Sequence, residues 1–433
     1  MNHYTNISEI LKRILLMFLL LTTVTAFSKV YYVAPLGNDS NTGTKNQPLA
    51  TIQKAQELVN PGDTVYIRGG LYKVPGDRIA RKENVFAYCT YLNKSGTPNA
   101  RINYWAYPGE APLFDFSDVT PAGLRGVGFQ IMGDWIHIKG LEVTGIRVTI
   151  LTHTESYCFY SWGSNNIFEL LKLHDNMAVG IRHRGKGVNN LFLNCDSYRN
   201  YDSVSENNKG GNTDGFGCHS LKGGTGNVFR GCRSWFNSDD GYDVLGAQEP
   251  VTFENCWAFY NGFTPEFVST GDGNGFKGGG YGATPVSRLP NPIPQHKISF
   301  CLAVRNKASG FYSNHHRQGS FWTNNTAYRN SVNFNMLNRL ADNVTDVPGF
   351  NHVLKNNLGY KGGVELKNAD IPKCFFKNNT FDMNIACSDD DFITLDESAL
   401  TVPRNADGSL PETGFMKIKP TSKLFVVLKG IGY

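Results

Sequence analysis

The sequence predicts an all-β protein built as a single-domain right-handed parallel β-helix with an N-terminal capping helix. Three observations carry this: an eleven-residue phrase recurring through the middle of the chain, columns of like residues within it, and a turn-rich composition poor in charge. The phrase begins at residues 166, 190, 227, 251, 296, 320, 352 and 374. The spacings are 24, 37, 24, 45, 24, 32 and 22 residues, so a period of 22–24 with insertions in some turns accounts for all of them. Such a period fits one coil of three short strands and three turns; a coil cannot bury its apolar face alone, but stacked coils share a core.

The columns read as stacked positions. The third position is apolar throughout: Phe168, Phe192, Phe229, Phe253, Ile298, Trp322, Leu354 and Phe376. The sixth runs Leu171, Cys195, Cys232, Cys256, Cys301, then Asn325, Asn357 and Asn379. The eleventh is Asn176, Asn200, Asn237, Asn261, Asn306, Asn330 and Asn384, the pattern of an amide ladder at a bend. Gly is plentiful (46), as are Phe (28) and Tyr (20), while 18% of residues are charged. That suits turn-rich β structure better than a helical bundle.

In chain order, residues 1–28 read as an export signal. Lys12 and Arg13 form a basic start, Ile14 to Val24 an apolar run, and Val24-Thr25-Ala26 offers small residues for cleavage. Eleven apolar residues are too few to span a bilayer, so the mature chain is expected to be secreted or periplasmic without a membrane anchor. Residues 29–433 form the β-helix domain. Within 29–75, Tyr31 to Ala34 and Thr64 to Arg68 read as strands, and Leu49 to Val59 as a helix capping the open end. Residues 385–433 lose the period and are expected to pack across the far end. Leu410-Pro-Glu-Thr-Gly414 matches a sortase signal by letter, but no membrane-length apolar run follows it, and it reads as a loop.

Four of the nine cysteines share one packing column and read as small buried hydrophobes. There is no CxxC, and the odd count leaves at least one thiol free. Removing residues 1–28 takes the net charge from +5 to +4 (minus Lys12 and Arg13, plus Glu9), a mild basic bias compatible with an anionic substrate. Without a dense Lys/Arg cluster, nucleic acid is a poor partner. The protein is expected to act as a monomer.

A second phrase places an apolar or aromatic residue after Gly: Gly180-Ile181, Gly215-Phe216, Gly241-Tyr242, Gly275-Phe276 and Gly310-Phe311. Aligned on that Gly, the preceding column reads Val179, Asp214, Asp240, Asn274, Ser309; two residues after it stand Arg182, Gly217, Asp243, Lys277, Tyr312. Asp214 and Asp240 then become neighbours on adjacent coils, joined by Asp239 and Asp243. Four crowded carboxylates repel unless a cation joins them. An oxygen-only donor set favours Ca²⁺ over zinc. Insertions near 201–213 and 262–273 are expected to wall the site. Singly, Asp-Gly is ordinary turn chemistry, and a lysine beside acids is usually a salt-bridge partner; four aspartates converging across coils are harder to explain by turns.

At these residues the chain resembles polysaccharide lyase family 9. The resemblance covers nearly the whole mature chain: YYVAPLGNDSNTGTKNQPLATIQKAQELVNPGDTVYIRGGLY (31–72), NTDGFG (212–217), SDDGYDV (238–244), GNGFKGGG (273–280) and DGSLPETGFMKIKPTSKL (407–424). It implies that Asp214, Asp239, Asp240 and Asp243 hold Ca²⁺ and that Lys277 is the Brønsted base. The implied reaction is β-elimination of an acidic plant cell-wall polysaccharide, homogalacturonan (pectate), to 4,5-unsaturated uronides. The family also contains rhamnogalacturonan I lyases with the same metal and base, so these motifs do not choose the substrate.

Arg182, Arg184, Tyr312 and Arg317 are candidates for substrate binding, since arginine suits uronate carboxylates through paired bonds; His315 and His316 lie nearby. Two other classes compete: a non-catalytic Ca²⁺-stabilised glycan-binding β-helix, which has no need of Lys277, and a hydrolase with paired acids around a water.

Overall fold

The computed structural model describes residues 28–383 and 385–433. The expected export signal lies outside them but for Ser28, as does the last ladder position, Asn384. Three long sheets of 12, 10 and 11 strands run the length of the molecule, each strand pairing with its equivalent one coil away. Between these strands pairing is parallel, except where Arg81–Glu83 turns back on Phe86–Leu92; a separate two-stranded pair, Leu337–Arg339 with Asp346–Pro348, is antiparallel. Among the described residues no helix is long and apolar enough to cross a membrane.

The third-position column is the spine of the first sheet. Phe168, Phe192, Phe229, Phe253, Ile298, Trp322, Leu354 and Phe376 are successive register partners. Phe192 stacks on Phe229 with ring centroids 4.3 Å apart. The chain bends at the fifth and tenth positions of the phrase, where the backbone is left-handed: φ is 54° at Asn194 and 50° at Asn255, and again 53° at Arg199 and 52° at Phe236. Asn tolerates this conformation better than other side chains do, which accounts for its frequency at the fifth position.

The amide ladder forms as expected. Asn176, Asn200, Asn237, Asn261, Asn306 and Asn330 each donate Nδ2 to the Oδ1 of the next ladder asparagine, ending on Asn333. A second ladder takes over the sixth column where the cysteines stop, with Asn357 donating to Asn379 at 2.8 Å. All nine cysteines are free thiols, and Cys195, Cys232, Cys256 and Cys301 are fully buried.

The N-terminal helix, α1, spans Ile52–Leu58, shorter than the apolar spacing suggests. Its start is fixed by Thr51, whose hydroxyl accepts from the Lys54 N–H, and it buries Ile52, Ala55 and Gln56. The C-terminal segment departs from expectation. It does not close the far end but runs back along the outer face of the second sheet. That face carries Trp257, Phe259, Leu302, Val304, Tyr328 and Leu358, which Phe392, Leu400, Leu410 and Phe415 cover. The strap is fastened by Arg404 to Asp196 (2.6 Å) and by Glu397 to Arg329 (2.9 Å). An apolar exterior on one sheet requires such a cover.

Candidate active site

The site lies on the outer face of the third sheet. Its strands Val179–Gly185, Phe216–Ser220, Tyr242–Asp243, Phe276–Lys277 and Ser309–Tyr312 alternate: Ile181, Phe216, Tyr242, Phe276 and Phe311 point into the core. The intervening residues form an outward row with the predicted register, Arg182↔Gly217↔Asp243↔Lys277↔Tyr312. The glycines that mark this phrase sit where neighbouring coils and the ladder leave no room for a side chain. A methyl group at Gly215, Gly241, Gly275 or Gly310 would meet a ladder amide nitrogen at 2.7–2.9 Å.

The carboxylates converge. Oxygens of Asp214, Asp240 and Asp243 lie within 4.8 Å of one another, and so do those of Asp239, Asp240 and Asp272. All four predicted aspartates are buried, Asp240 completely. Asp240 Oδ1 accepts from the Asn274 backbone N–H and Nδ2 (2.7 and 2.9 Å), while its buried Oδ2 meets the Lys277 ammonium at 2.9 Å. Lys277 Nζ is 3.9 Å from both Asp243 and Asp272. Asp239 faces the walls as well as the cluster, accepting from the Asn212 N–H (2.7 Å) and the Asp272 N–H (2.8 Å).

The electrostatics follow from this crowding. Burial and the neighbouring carboxylates of Asp243 and Asp239 raise Asp214 well above the usual carboxylate range. Burial and Asp240 push Asp239 up to about 7. Burial alone would lower Lys277, but the four aspartates outweigh it and hold its ammonium well above the ordinary lysine value. Among the described residues these two clusters are made of carboxylates alone, mostly buried and mutually repelling, which is the chemistry of a hard cation site.

The insertions wall the site as expected. Between them is a cleft of about 880 Å³ whose lining includes His153, Tyr201, Lys209, Asp239, Asp272 and Lys307. Lys307 does not point at the carboxylates; it ties the wall by donating to Thr270 O (2.7 Å) and to Gly271 O.

The candidate substrate-binding residues separate. Arg184 is exposed, and Tyr312 is half-buried one coil beyond Lys277. Arg317 is half-buried and donates to Leu340 O at 3.2 Å. His315 pairs with Asp346, and His316 is buried between the Gly280 N–H and Pro294 O. Arg182 departs from the expectation: at 2% exposure it is buried, and it pairs with Asp214 (3.1 Å) and Glu155 (3.4 Å). The Gly beside it in the row lets its side chain lie down.

Sequence reasoning missed Glu155, His219, Asp272 and Asn274 as members of the site. Asn274 stands in the same column as Asp214 and Asp240, so the alignment carried its signal. Asp272 belongs to an insertion and Glu155 precedes the first clear repeat, where no column exists to place them.

Comparisons with known proteins agree with this architecture. The family described as Pel9A-like, right handed beta helix region, matches residues 31–357. Pectate lyase L of Dickeya dadantii is 35% identical over 407 residues, covering 93% of this chain and 87% of that protein. Pectate lyase PEL9 of Emericella nidulans is 30% identical over 406 residues, 89% of this chain and 91% of that protein. Among solved structures, one named rhamnogalacturonan lyase superposes with a TM-score of 0.89 at 41% identity, covering 94% of this chain and 99% of its own. Pectate lyase Pel9A superposes at 0.73 and 34% identity, covering 92% and 90%. The chain therefore belongs to the Pel9A-like right-handed β-helix family, the polysaccharide lyase family 9 that its motifs resemble.

Proposed function

We propose that the protein is an exported, Ca²⁺-dependent lyase that cleaves the uronate-containing backbone of pectic polysaccharide by β-elimination. The carrying observation is the juxtaposition of Lys277 with the buried carboxylate cluster, its Nζ 2.9 Å from Asp240. The lyase names of its relatives support the reaction class. Export rests on the basic start and apolar run of residues 1–28.

In this reading Asp214, Asp239, Asp240 and Asp243 hold the ion. Bound Ca²⁺ supplies positive charge against the C6 carboxylate of the substrate and the enolate-like charge that develops there. Lys277, as the free amine, takes the proton from C5. The C5 electron pair becomes the C4–C5 double bond, the C4–O bond breaks, and the leaving oxygen gains a proton from solvent. No water is added, which separates this chemistry from hydrolysis. Aspartates engaged by the ion hold the Lys277 ammonium less strongly, which favours the free amine. Arg184 stands beside His219 in the strand register and Tyr312 beside Lys277; these two and Arg317 are assigned to substrate.

Homogalacturonan is the first substrate reading and rhamnogalacturonan I the second. The second is favoured by the fuller superposition on the rhamnogalacturonan lyase, 0.89 against 0.73. Measuring unsaturated product on polygalacturonate and on rhamnogalacturonan I separates them. Product from one polymer selects that substrate, and saturated ends from both reject the lyase reading.

A further inference from the structure

Arg182 opens the outward row that leads to Gly217, Asp243 and Lys277, yet its guanidinium is buried. It lies across the next coil. A Cβ added at Gly217 would sit 2.7 Å from its Nε, 2.9 Å from Cδ and 3.0 Å from Cζ, so any side chain there would displace it. From this place Nη2 donates to Asp214 Oδ2 at 3.1 Å, and Nη1 lies against the ring nitrogens of His219 at 2.5 and 2.8 Å. His219 in turn stands 3.8 Å from Asp243 Oδ2. Behind the guanidinium, Glu155 is 3.4 Å away and accepts from the Tyr157 hydroxyl at 2.6 Å, and the Tyr157 ring centroid is 5.8 Å from Arg182 Cζ.

A buried ion pair is a poor stabiliser, because desolvating both partners offsets most of their attraction. Fold stability alone therefore gives little reason for a guanidinium at this spot. Its geometry gives a better one. The planar fork touches Asp214, Glu155 and His219 together, which a lysine point charge cannot do. Through these contacts it holds Asp214 directly, and it packs on His219, which stands beside Asp243 beyond hydrogen-bond reach.

We infer that Arg182 is a positioning residue that orients Asp214 for the cation, in a space that Gly217 leaves open for it. This rests on reading the cluster as a Ca²⁺ site.

The test is calorimetric titration of Ca²⁺ into metal-free, full-length mature protein, with circular dichroism to confirm folding. Arg182→Met and Arg182→Lys are expected to weaken Ca²⁺ by about 10-fold or more, as loss of groups that orient metal ligands commonly does. Gly217→Ala changes no charge and needs no unusual backbone angle, but pushes the guanidinium aside; it is expected to weaken Ca²⁺ in the same direction. It serves also if an Arg182 variant fails to fold. A merely structural arginine would lower the melting temperature and leave the affinity of the folded protein alone. Folded Arg182 variants, or Gly217→Ala, with wild-type affinity would overturn the role of Arg182 only. Wild-type protein that binds no Ca²⁺ would overturn the cation reading and this role with it.

Discussion

The amide ladder and the outward row of the third sheet are built by the same geometry and end in opposite chemistry. Both stack one side chain per coil. In the ladder each Asn both donates and accepts, so Asn237, Asn261 and Asn306 satisfy one another and are fully or almost fully buried. Around the outward row the stack brings together Asp214, Asp240 and Asp243, which only accept and repel. A solenoid repeat thus amplifies whatever occupies a column: complementary groups become a spine, and like charges become a site that calls for a cation.

Removing the proposed base should have the largest effect. Lys277→Ala is expected to lower turnover by about 10²- to 10⁴-fold, the usual contribution of proton transfer. Ca²⁺ affinity, measured by calorimetry, should survive. A variant with normal turnover would show that Lys277 is only a counter-ion.

Exchanging the chemistry of the two stacks comes next. Asn261→Asp places a charge against Asn306 Oδ1 and Ser234 O, which now accept from its amide, and is expected to cost about 3–5 kcal/mol in denaturant unfolding. Asp243→Asn removes one repelling charge. The metal-free protein should melt no lower than wild type, while Ca²⁺ affinity falls. A marked loss of metal-free stability would mean the aspartates support the fold as the asparagines do.

A smaller effect is set by pH. Asp214 and Asp239 are raised in the folded state, Asp239 to about 7. A carboxylate raised on folding favours the native state below its unfolded pKa, and that support is lost as pH rises toward the folded value. Metal-free protein should therefore lose melting temperature between about pH 4 and 7, whereas Ca²⁺, which binds the ionised form, should stabilise increasingly over the same window. A Ca²⁺-induced shift independent of pH would contradict the crowding of these groups.

Much of this was legible because columns are read directly from spacing. The register of Phe168 to Phe376, the asparagine ladder and the row ending in Lys277 and Tyr312 all follow from aligning phrases on one residue type. What escaped depends on features without a period. The strap of residues 385–433 answers to an apolar exterior at Trp257, Phe259 and Leu302 that a repeat aimed at the core does not announce. Arg182 was placed in its column correctly, but its direction depends on the missing side chain at Gly217, a property of the neighbouring coil. Glu155 and Asp272, from segments outside the repeat, gave no signal at all.

The most direct test is ultraviolet detection of unsaturated uronide during incubation with polygalacturonate and rhamnogalacturonan I, for wild-type and Lys277→Ala protein, with Ca²⁺ and after its removal by chelator. The account predicts absorbing product from wild-type protein with Ca²⁺ on at least one polymer, formed at least about 10²-fold more slowly by the variant and lost after metal removal. Saturated products, or undiminished activity in metal-free protein, would contradict it.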